Sequence, residues 1–123
     1  AGHIFVDRKQ TEDALMSLKK AKLSLRDNPR SVLLFPEGTR TKDGKIGRFK
    51  SGGLVLAIQT GLPIVPIAFS GTFEMLNVGS RSMKNNPLEI RIGKPITSSS
   101  YSIKERRKLA ENLKTQIKVL LEQ

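Results

Sequence analysis

The first half of the chain alternates between polar and apolar stretches, and their periods predict two strands, a helix and a loop. Residues 3–7 are predicted to form a short strand, and residues 12–27 a helix that Thr11 caps. Residues 31–35 form a continuous apolar run, which is typical of a strand buried on both faces. The polar, glycine-bearing stretch at 36–50 is predicted to be a loop that leaves the end of that strand.

The second half continues the alternation and closes with a helix. Its predicted elements are a helix at 51–60, a buried strand at 64–69, a long loop at 71–87, a strand at 88–92 and a helix that Ser102 opens. Gly61 suits the C-terminal cap of the first of these helices, and Pro66 must lie at an edge, a bulge or the end of its strand. This order predicts an α/β fold, with a mostly parallel sheet flanked by helices.

Both long helices carry an apolar stripe that predicts their buried side. In the first helix the stripe is Leu15, Leu18, Lys22 and Leu25, where the lysine stem flanks the contact. In the last helix it comprises Ile103, Arg107, Ala110, Leu113, Ile117 and Leu120. Four cations near the start of the last helix are interpreted as a solvated helix face; they are Lys104, Arg106, Arg107 and Lys108.

The net charge of the chain indicates the kind of partner that it binds. Its 123 residues include 22 Lys and Arg against 11 Asp and Glu, a formal net charge of +11. This balance implies an anionic partner, such as nucleic acid, a phosphorylated small molecule or an anionic membrane; the alternative is a basic surface that is only solvated. With no cysteine and a single histidine, His3, the sequence predicts neither a disulfide nor a multi-histidine metal site.

The start of the chain shows neither a signal peptide nor a membrane span. No apolar run approaches the ~20 residues that a membrane-spanning helix needs. The chain opens in the middle of a predicted strand, so we expect it to be truncated at the N-terminus.

The segment at 35–40, Phe-Pro-Glu-Gly-Thr-Arg, carries the most informative chemistry. It follows a predicted buried strand, and open α/β sheets place ligand sites at the carboxyl ends of their strands. Gly38 lets backbone approach a ligand closely, and Arg40 can fork two hydrogen bonds onto a phosphate. Glu37 can accept a hydrogen bond from a hydroxyl group. On these grounds alone, a turn with an internal ion pair between Glu37 and Arg40 explains the segment equally well.

Four segments together resemble the glycerolipid acyltransferase family. Segment 35–40 is similar to the family's third signature block, and residues 2–8, Gly-His-Ile-Phe-Val-Asp-Arg, look like the second. Residues 61–68, Gly-Leu-Pro-Ile-Val-Pro-Ile-Ala, look like the fourth, and residues 48–52, Arg-Phe-Lys-Ser-Gly, match the segment after the third. One such block is a weak signal, but four in order are a strong one. The resemblance identifies residues 1–123 as a single, partial acyltransferase domain.

The resemblance implies a reaction and a set of binding residues. The family moves a fatty acyl group from a thioester, acyl-CoA or an acylated carrier protein, to the 2-hydroxyl of lysophosphatidate in phospholipid synthesis, and it needs no cofactor and no metal. Arg8 and Arg40 would bind the acceptor's phosphate, with Lys50 as a further candidate, because a phosphomonoester carries close to two negative charges. The residues expected to line the acceptor's polar pocket are Glu37, Gly38 and Thr39.

The family's first block, a histidine and an aspartate separated by four residues, is not found in the chain. In the family this histidine is the general base that deprotonates the acceptor hydroxyl, and the aspartate orients it. Here His3 and Asp7 are separated by three residues and lie inside the second block, so His3 is interpreted as an incidental strand residue. We therefore expect no catalytic residue in this chain and no activity from it alone.

Five cations crowd the loop that follows the third block, and several partners fit them. They are Arg40, Lys42, Lys45, Arg48 and Lys50. They are expected to meet an anionic membrane, the phosphates of an acyl-CoA or the acidic surface of an acyl carrier protein, or else to be solvated. The rival to an acyltransferase is a non-catalytic basic module for nucleic acid or an anionic membrane. Aromatic residues make up only 5% of the chain, and no recognised nucleic-acid motif is present, which argues against nucleic acid.

The resemblance also implies where the protein works and how it associates. It places the chain at the cytoplasmic face of a membrane, either peripheral or anchored by a missing N-terminal segment. Because the strand that carries the first block would be absent, we expect an exposed sheet edge. Such an edge invites pairing with another copy of the chain.

Overall fold

The computed structural model describes residues 11–38, 43–72 and 87–123, which contain three helices, two strands and two short 3₁₀ turns. The helices are α1 (Thr11–Asp27), α2 (Gly52–Thr60) and α3 (Arg106–Leu121), and the strands are β1 (Ile67–Ser70) and β2 (Glu89–Ile92). The 3₁₀ turns are Ser98–Ser100 and Ile103–Glu105. The predicted strand at 3–7 and most of the predicted loop at 71–87 lie outside the described residues.

The predicted helices α1 and α2 are confirmed to within about a residue at both ends, and Ser102 opens the 3₁₀ turn Ile103–Glu105, which leads directly into α3 at Arg106. Helix α1 begins at Thr11, and α2 ends where Gly61 adopts φ 71°, the left-handed conformation that a C-terminal glycine cap takes. The amide of Gly61 donates to the carbonyl of Ala57 at 2.8 Å, which closes the last turn. Pro66 stands immediately before β1, so its missing N–H removes nothing from the ladder.

Strands β1 and β2 pair antiparallel, whereas the sequence predicted a mostly parallel sheet. Ile67 lies opposite Ile92 and Ser70 opposite Glu89, and an isolated bridge between Ile64 and Ile96 prolongs the pairing. The side chains of a strand alternate in the same way in both kinds of sheet, so the pattern predicts the strand but not the direction of its partner.

The predicted buried strand at 31–35 is wrong for the part of the chain that the structure describes. These residues belong to no ladder, and Leu33 and Phe35 are 70% and 67% exposed. Burial on both faces requires neighbouring strands and a covering layer on each side, and in the described residues Leu34 lies beside Gly53 of α2 while most of the segment stays exposed. Whether the sheet has an edge that promotes self-association stays a prediction.

Two apolar clusters form the core, and α2 contributes to both. Leu54 of α2 lies in the first cluster, which contains Phe49, Leu54, Leu109, Ala110 and Leu113. Leu56, two residues later, lies in the second cluster with Leu18, Ala21 and Leu25 of α1. Helix α2 therefore joins α1 on one side to α3 on the other.

The buried stripes of both long helices differ from those predicted. In α1 the buried residue between Leu18 and Leu25 is Ala21, while Lys22 is exposed. In the last helix the fully buried Leu109 was not predicted, and the predicted Ile103 and Arg107 are exposed. Burying a charged end without a partner costs far more than burying a methyl group, so the helices turn their alanine and leucine inward.

Side-chain hydrogen bonds fix both ends of α3. Ser102 and Glu105 form a capping box before its first turn, and the Ser102 amide donates to Glu105 Oε1 at 3.0 Å. Hydrogen bonds from the backbone and side chain of Ser102, with Lys108 nearby, lower the pKa of the Glu105 carboxyl. At the other end, Arg91 of β2 donates to the carbonyls of Leu120 and Leu121 at 2.7 and 3.2 Å. The sheet thus supplies a cation to the negative end of the helix.

Ser98 is a buried polar residue that ties the chain after β2 to the end of α2. Its side chain is fully buried, and its hydroxyl lies 2.9 Å from the carbonyl of Ala57 and 2.6 Å from that of Leu62. These two carbonyls sit on either side of the Gly61 cap. The hydroxyl therefore fixes the turn that leads from α2 toward β1.

We expect Ser98→Ala to lower the free energy of unfolding by about 1–3 kcal/mol, because it removes the buried donor that these two carbonyls share. Urea unfolding followed by circular dichroism measures the loss. Ser99→Ala, at the exposed neighbouring position, is the matched control and should change the free energy by no more than about 0.5 kcal/mol. Equal losses in the two variants would show that the Ser98 hydroxyl contributes nothing beyond its surroundings.

Candidate functional site

The loop at 36–50 is closed at its base by hydrogen bonds between its two sides. The Lys50 amide donates to the carbonyl of Pro36 at 2.8 Å, and the Gly47 amide donates to Glu37 Oε2 at 2.8 Å. A third bond, from the Gly38 amide to the carbonyl of Phe35 at 3.1 Å, makes the turn that opens the loop. We call the contacts of Pro36 with Lys50 and of Glu37 with Gly47 the loop neck.

Glycine suits two positions at this neck for different reasons. Gly38 has φ 75°, in the left-handed region that other residues seldom adopt. A Cβ on Gly47 would lie 3.3 Å from Glu37 Oε2, so a side chain there would press against the carboxylate. The small residue at 47 lets its amide reach the Glu37 carboxylate, so this pair joins the two sides of the loop neck.

The partner of Glu37 in the described residues is therefore backbone. Its Oε2 is engaged by Gly47, and its Oε1 accepts no hydrogen bond from the residues that the structure describes. One carboxylate oxygen of Glu37 thus stabilises the loop. Arg40, the alternative partner considered from sequence, lies outside the described residues, so the structure tests neither that pairing nor the role of Glu37 in the acceptor pocket.

The other predicted site residues divide between the two parts of the chain. His3, Arg8, Thr39 and Arg40 lie outside the described residues. Gly38 and Lys50 are described, and Lys50 contributes its backbone amide to the loop neck. The predicted convergence of Arg8 and Arg40 on one phosphate stays a prediction, as does a contact of Lys50 with that phosphate.

Lys50 also lines a pocket that the sequence did not predict. The pocket has a volume of about 450 Å³ and lies between the N-terminal end of α2 and the first turns of α3. The residues that line it are Arg48, Phe49, Lys50, Ser51, Gly52, Arg107, Ala110 and Glu111. Neither Glu37 nor Gly38 is among them, so this pocket is distinct from the described part of the third block.

The cations at the start of α3 form a solvated face, as the sequence predicted: Lys104, Arg107 and Lys108 are exposed. Some of them also contact other parts of the chain. Arg107 lines the pocket, the Arg106 guanidinium donates to the carbonyl of Ile103 at 3.0 Å, and Lys108 lies 4.0 Å from Glu105. The signal that could have identified Arg107 was its place on the same helical stripe as Ala110, which faces the core. No comparable signal marked Gly47, because its contact with Glu37 depends on how the loop closes.

Two further features of the described residues bear on other functions. In the described ranges, no helix has both the length and the apolar character needed to cross a bilayer. The same residues contain no group of histidine, cysteine, aspartate and glutamate side chains that could hold a metal ion.

Comparisons with known proteins agree with the segments and the architecture described above. The model of the acyltransferase family matches residues 1–70. The chain is 34% identical over 103 residues to a 1-acyl-sn-glycerol-3-phosphate acyltransferase of Limnanthes douglasii, covering 84% of this chain and 37% of that protein. It is 32% identical over 114 residues to the alpha enzyme of that name from Homo sapiens, covering 93% and 40%.

A solved structure shows the same fold. The crystal structure of the 1-acyl-sn-glycerophosphate (LPA) acyltransferase PlsC from Thermotoga maritima superposes with a TM-score of 0.73 at 29% identity, covering 89% of this chain and 44% of that one. The α/β fold class predicted from the order of elements is thereby confirmed. The chain spans about two fifths of the length of these relatives. From the family match over more than half of its residues, we conclude that this chain belongs to the acyltransferase family.

Proposed function

We propose that this chain is the acceptor-binding part of an enzyme that transfers a fatty acyl group from a thioester to the 2-hydroxyl of lysophosphatidate, giving phosphatidate. The observation that carries the proposal is the loop neck, which joins segment 35–40 to segment 48–52 through the bond between Lys50 and Pro36. Both segments resemble the same family, and their contact fixes the ends of the stretch that contains Arg40. The choice of lysophosphatidate as the acceptor rests on the names of the relatives, which are 1-acyl-sn-glycerol-3-phosphate acyltransferases.

The acyl donor and the location are finer parts of the same proposal. An acyl-CoA or an acylated carrier protein delivers the acyl group, and the chain works at the cytoplasmic face of a membrane. Its net charge of +11 supports attraction to an anionic surface, since each cation near such a surface contributes about 1 kcal/mol. The acceptor of the reaction is itself an anionic lipid, so the same charge also draws the substrate.

The chain alone should show no acyl transfer above background. Without the family's spaced histidine and aspartate, no group is available to deprotonate the acceptor hydroxyl, and general-base catalysis typically contributes ~10²–10⁴ in rate. Release of free CoA from an acyl-CoA in the presence of lysophosphatidate measures it. Turnover that disappears in His3→Ala would contradict this expectation and make His3 the base.

Binding of the acceptor tests the proposal without requiring turnover. Arg8→Ala and Arg40→Ala should each weaken binding of a short-chain lysophosphatidate by about 1.5–3 kcal/mol, the range for a hydrogen bond to a charged group. Arg40→Lys should also weaken it, because the ammonium cannot fork onto two phosphate oxygens. Calorimetric titration gives the affinities.

A matched control is Arg26→Ala, which removes an exposed arginine that pairs with its neighbour Asp27. If it weakens binding as much as the other two changes, attraction is general to the basic surface and the acceptor site is wrongly placed. A nucleic-acid module would give a different result. The chain would bind DNA with an affinity that falls steeply as the salt concentration rises, and it would not bind lysophosphatidate.

Glu37 should act by positioning the loop. We expect Glu37→Ala to weaken lysophosphatidate binding by up to about tenfold, because the Gly47 amide loses its acceptor and the loop must be ordered on binding. In Glu37→Gln the amide oxygen can still accept this bond, so part of the affinity should return. Hydrogen exchange of the Gly47 amide gives a second readout, faster in Glu37→Ala and nearly unchanged in Glu37→Gln.

The control for this series is Glu122→Ala, which removes an exposed carboxylate at the far end of α3. Equal loss of affinity in the Ala and Gln variants, with Gly47 exchange unaltered, would mean that Glu37 touches the acceptor directly and does not act through the loop.

A further inference from the structure

The pocket between α2 and α3 concentrates positive charge from two distant parts of the chain. Arg48 and Lys50 reach it from the loop, and Arg107 reaches it from α3, more than fifty residues later. Glu111 is the single carboxylate among the lining residues. The pocket, of about 450 Å³, is open to solvent and has room for a phosphate group.

These three cations have no protein counter-ion within the described ranges. The ion pairs found there are Arg26 with Asp27, Arg91 with Glu89, and Lys108 with Glu105. None involves a cation of the pocket, and all four charged lining residues are exposed to solvent. Three like charges at one pocket, with no counter-ion paired to them, leave a local positive potential that attracts an anion.

Helix α2 adds to the positive potential, because its N-terminal end lies at this pocket. Ser51, at the start of α2, makes no side-chain capping hydrogen bond, and the first turn of α2 contains no acid. Cations at the positive end of a helix are unfavourable by about 0.3–1 kcal/mol each, and an anion bound there would be favourable by a similar amount. The start of α3 contributes Arg107, whereas its capping box supplies that helix end with the Glu105 carboxylate.

We propose that this pocket binds a phosphate group, with Arg48, Lys50 and Arg107 as its cationic contacts. The proposal moves Lys50 from the acceptor phosphate, for which it was a further candidate, to this site, which is separate from the phosphate assigned above to Arg8 and Arg40. It rests on the proposed function only for the two sources of the phosphate. One source is the phosphates of an acyl-CoA; the other is the headgroup of an anionic lipid at the membrane surface. Guanidinium and ammonium groups in one pocket suit phosphate oxygens better than they suit a single carboxylate.

Arg107→Ala tests the proposal most directly, because Arg107 belongs to none of the segments that resemble the family. Two probes distinguish the sources: free CoA, and phosphatidylcholine vesicles with and without phosphatidate. Binding of whichever probe uses the pocket should weaken about tenfold in Arg107→Ala, the lower end of the range for a charge-assisted hydrogen bond. Lys118→Ala is the matched control, since it removes the same charge from the same helix outside the pocket.

Glu111→Gln provides a test of opposite sign. It keeps the size of the side chain and removes the one negative charge that lines the pocket, so it should tighten binding of the same probe. Urea unfolding of all variants confirms that each is folded. If Arg107→Ala does not fold, Glu111→Gln decides alone.

Each possible result either supports the proposal or overturns it. Weakening in Arg107→Ala with CoA alone supports the proposal and assigns nucleotide phosphates; weakening with phosphatidate vesicles alone supports it and assigns a lipid headgroup. Equal weakening in Arg107→Ala and Lys118→Ala, no tightening in Glu111→Gln, or binding of neither probe overturns it. Binding of short-chain lysophosphatidate that depends on Arg8 but not on Arg107 belongs to the acceptor site, and CoA binding that depends on Arg107 belongs to this pocket, so a failure of one and a failure of the other are distinguishable.

Discussion

Helix α2 is the element on which the rest of the described structure depends. It is nine residues long and begins with two glycines, so its own propensity to form a helix is weak and its stability comes from packing. Leu54 and Leu56 secure it to α3 and α1, and the buried Ser98 hydroxyl secures its last turn. The loop neck and the basic pocket both lie at its N-terminal end. Both candidate sites therefore keep their geometry only while the two clusters hold α2 in place.

The loop neck gives a physical reason for two of the sequence signals. Segments 35–40 and 48–52 stand apart along the chain, but the bond between Pro36 and Lys50 makes them two sides of one structure. Glu37 and Gly47 then shorten the span that the intervening residues must bridge. The residue types at the neck follow from this contact. Glu37 supplies the hydrogen-bond acceptor on one side, and Gly47, which has no side chain, supplies the donor amide on the other. The sequence between them is basic.

Local signals in the sequence predicted the elements well, and contacts between distant residues account for what it missed. The cap at Gly61 and the strand end at Pro66 are properties of single residues, so the sequence sufficed for both. The antiparallel direction of β2, the backbone partner of Glu37 and the place of Arg107 beside Lys50 each need the chain to close on itself. Residues 31–35 have the composition of a buried strand, but burial depends on neighbours that a composition cannot supply.

The apolar side chains left in water on 31–35 and on the two strands set how copies of the chain behave toward each other. The side chains of Phe69, Ile90 and Ile92 are each at least half exposed, as are those of Leu33 and Phe35. The net charge of +11 opposes contact between these surfaces. That repulsion extends about 10 Å at 0.1 M salt and only about 3 Å at 1 M, whereas apolar attraction does not weaken with screening. Colloidal stability of the chain is therefore an electrostatic property, and ionic strength decides whether a concentrated solution stays clear.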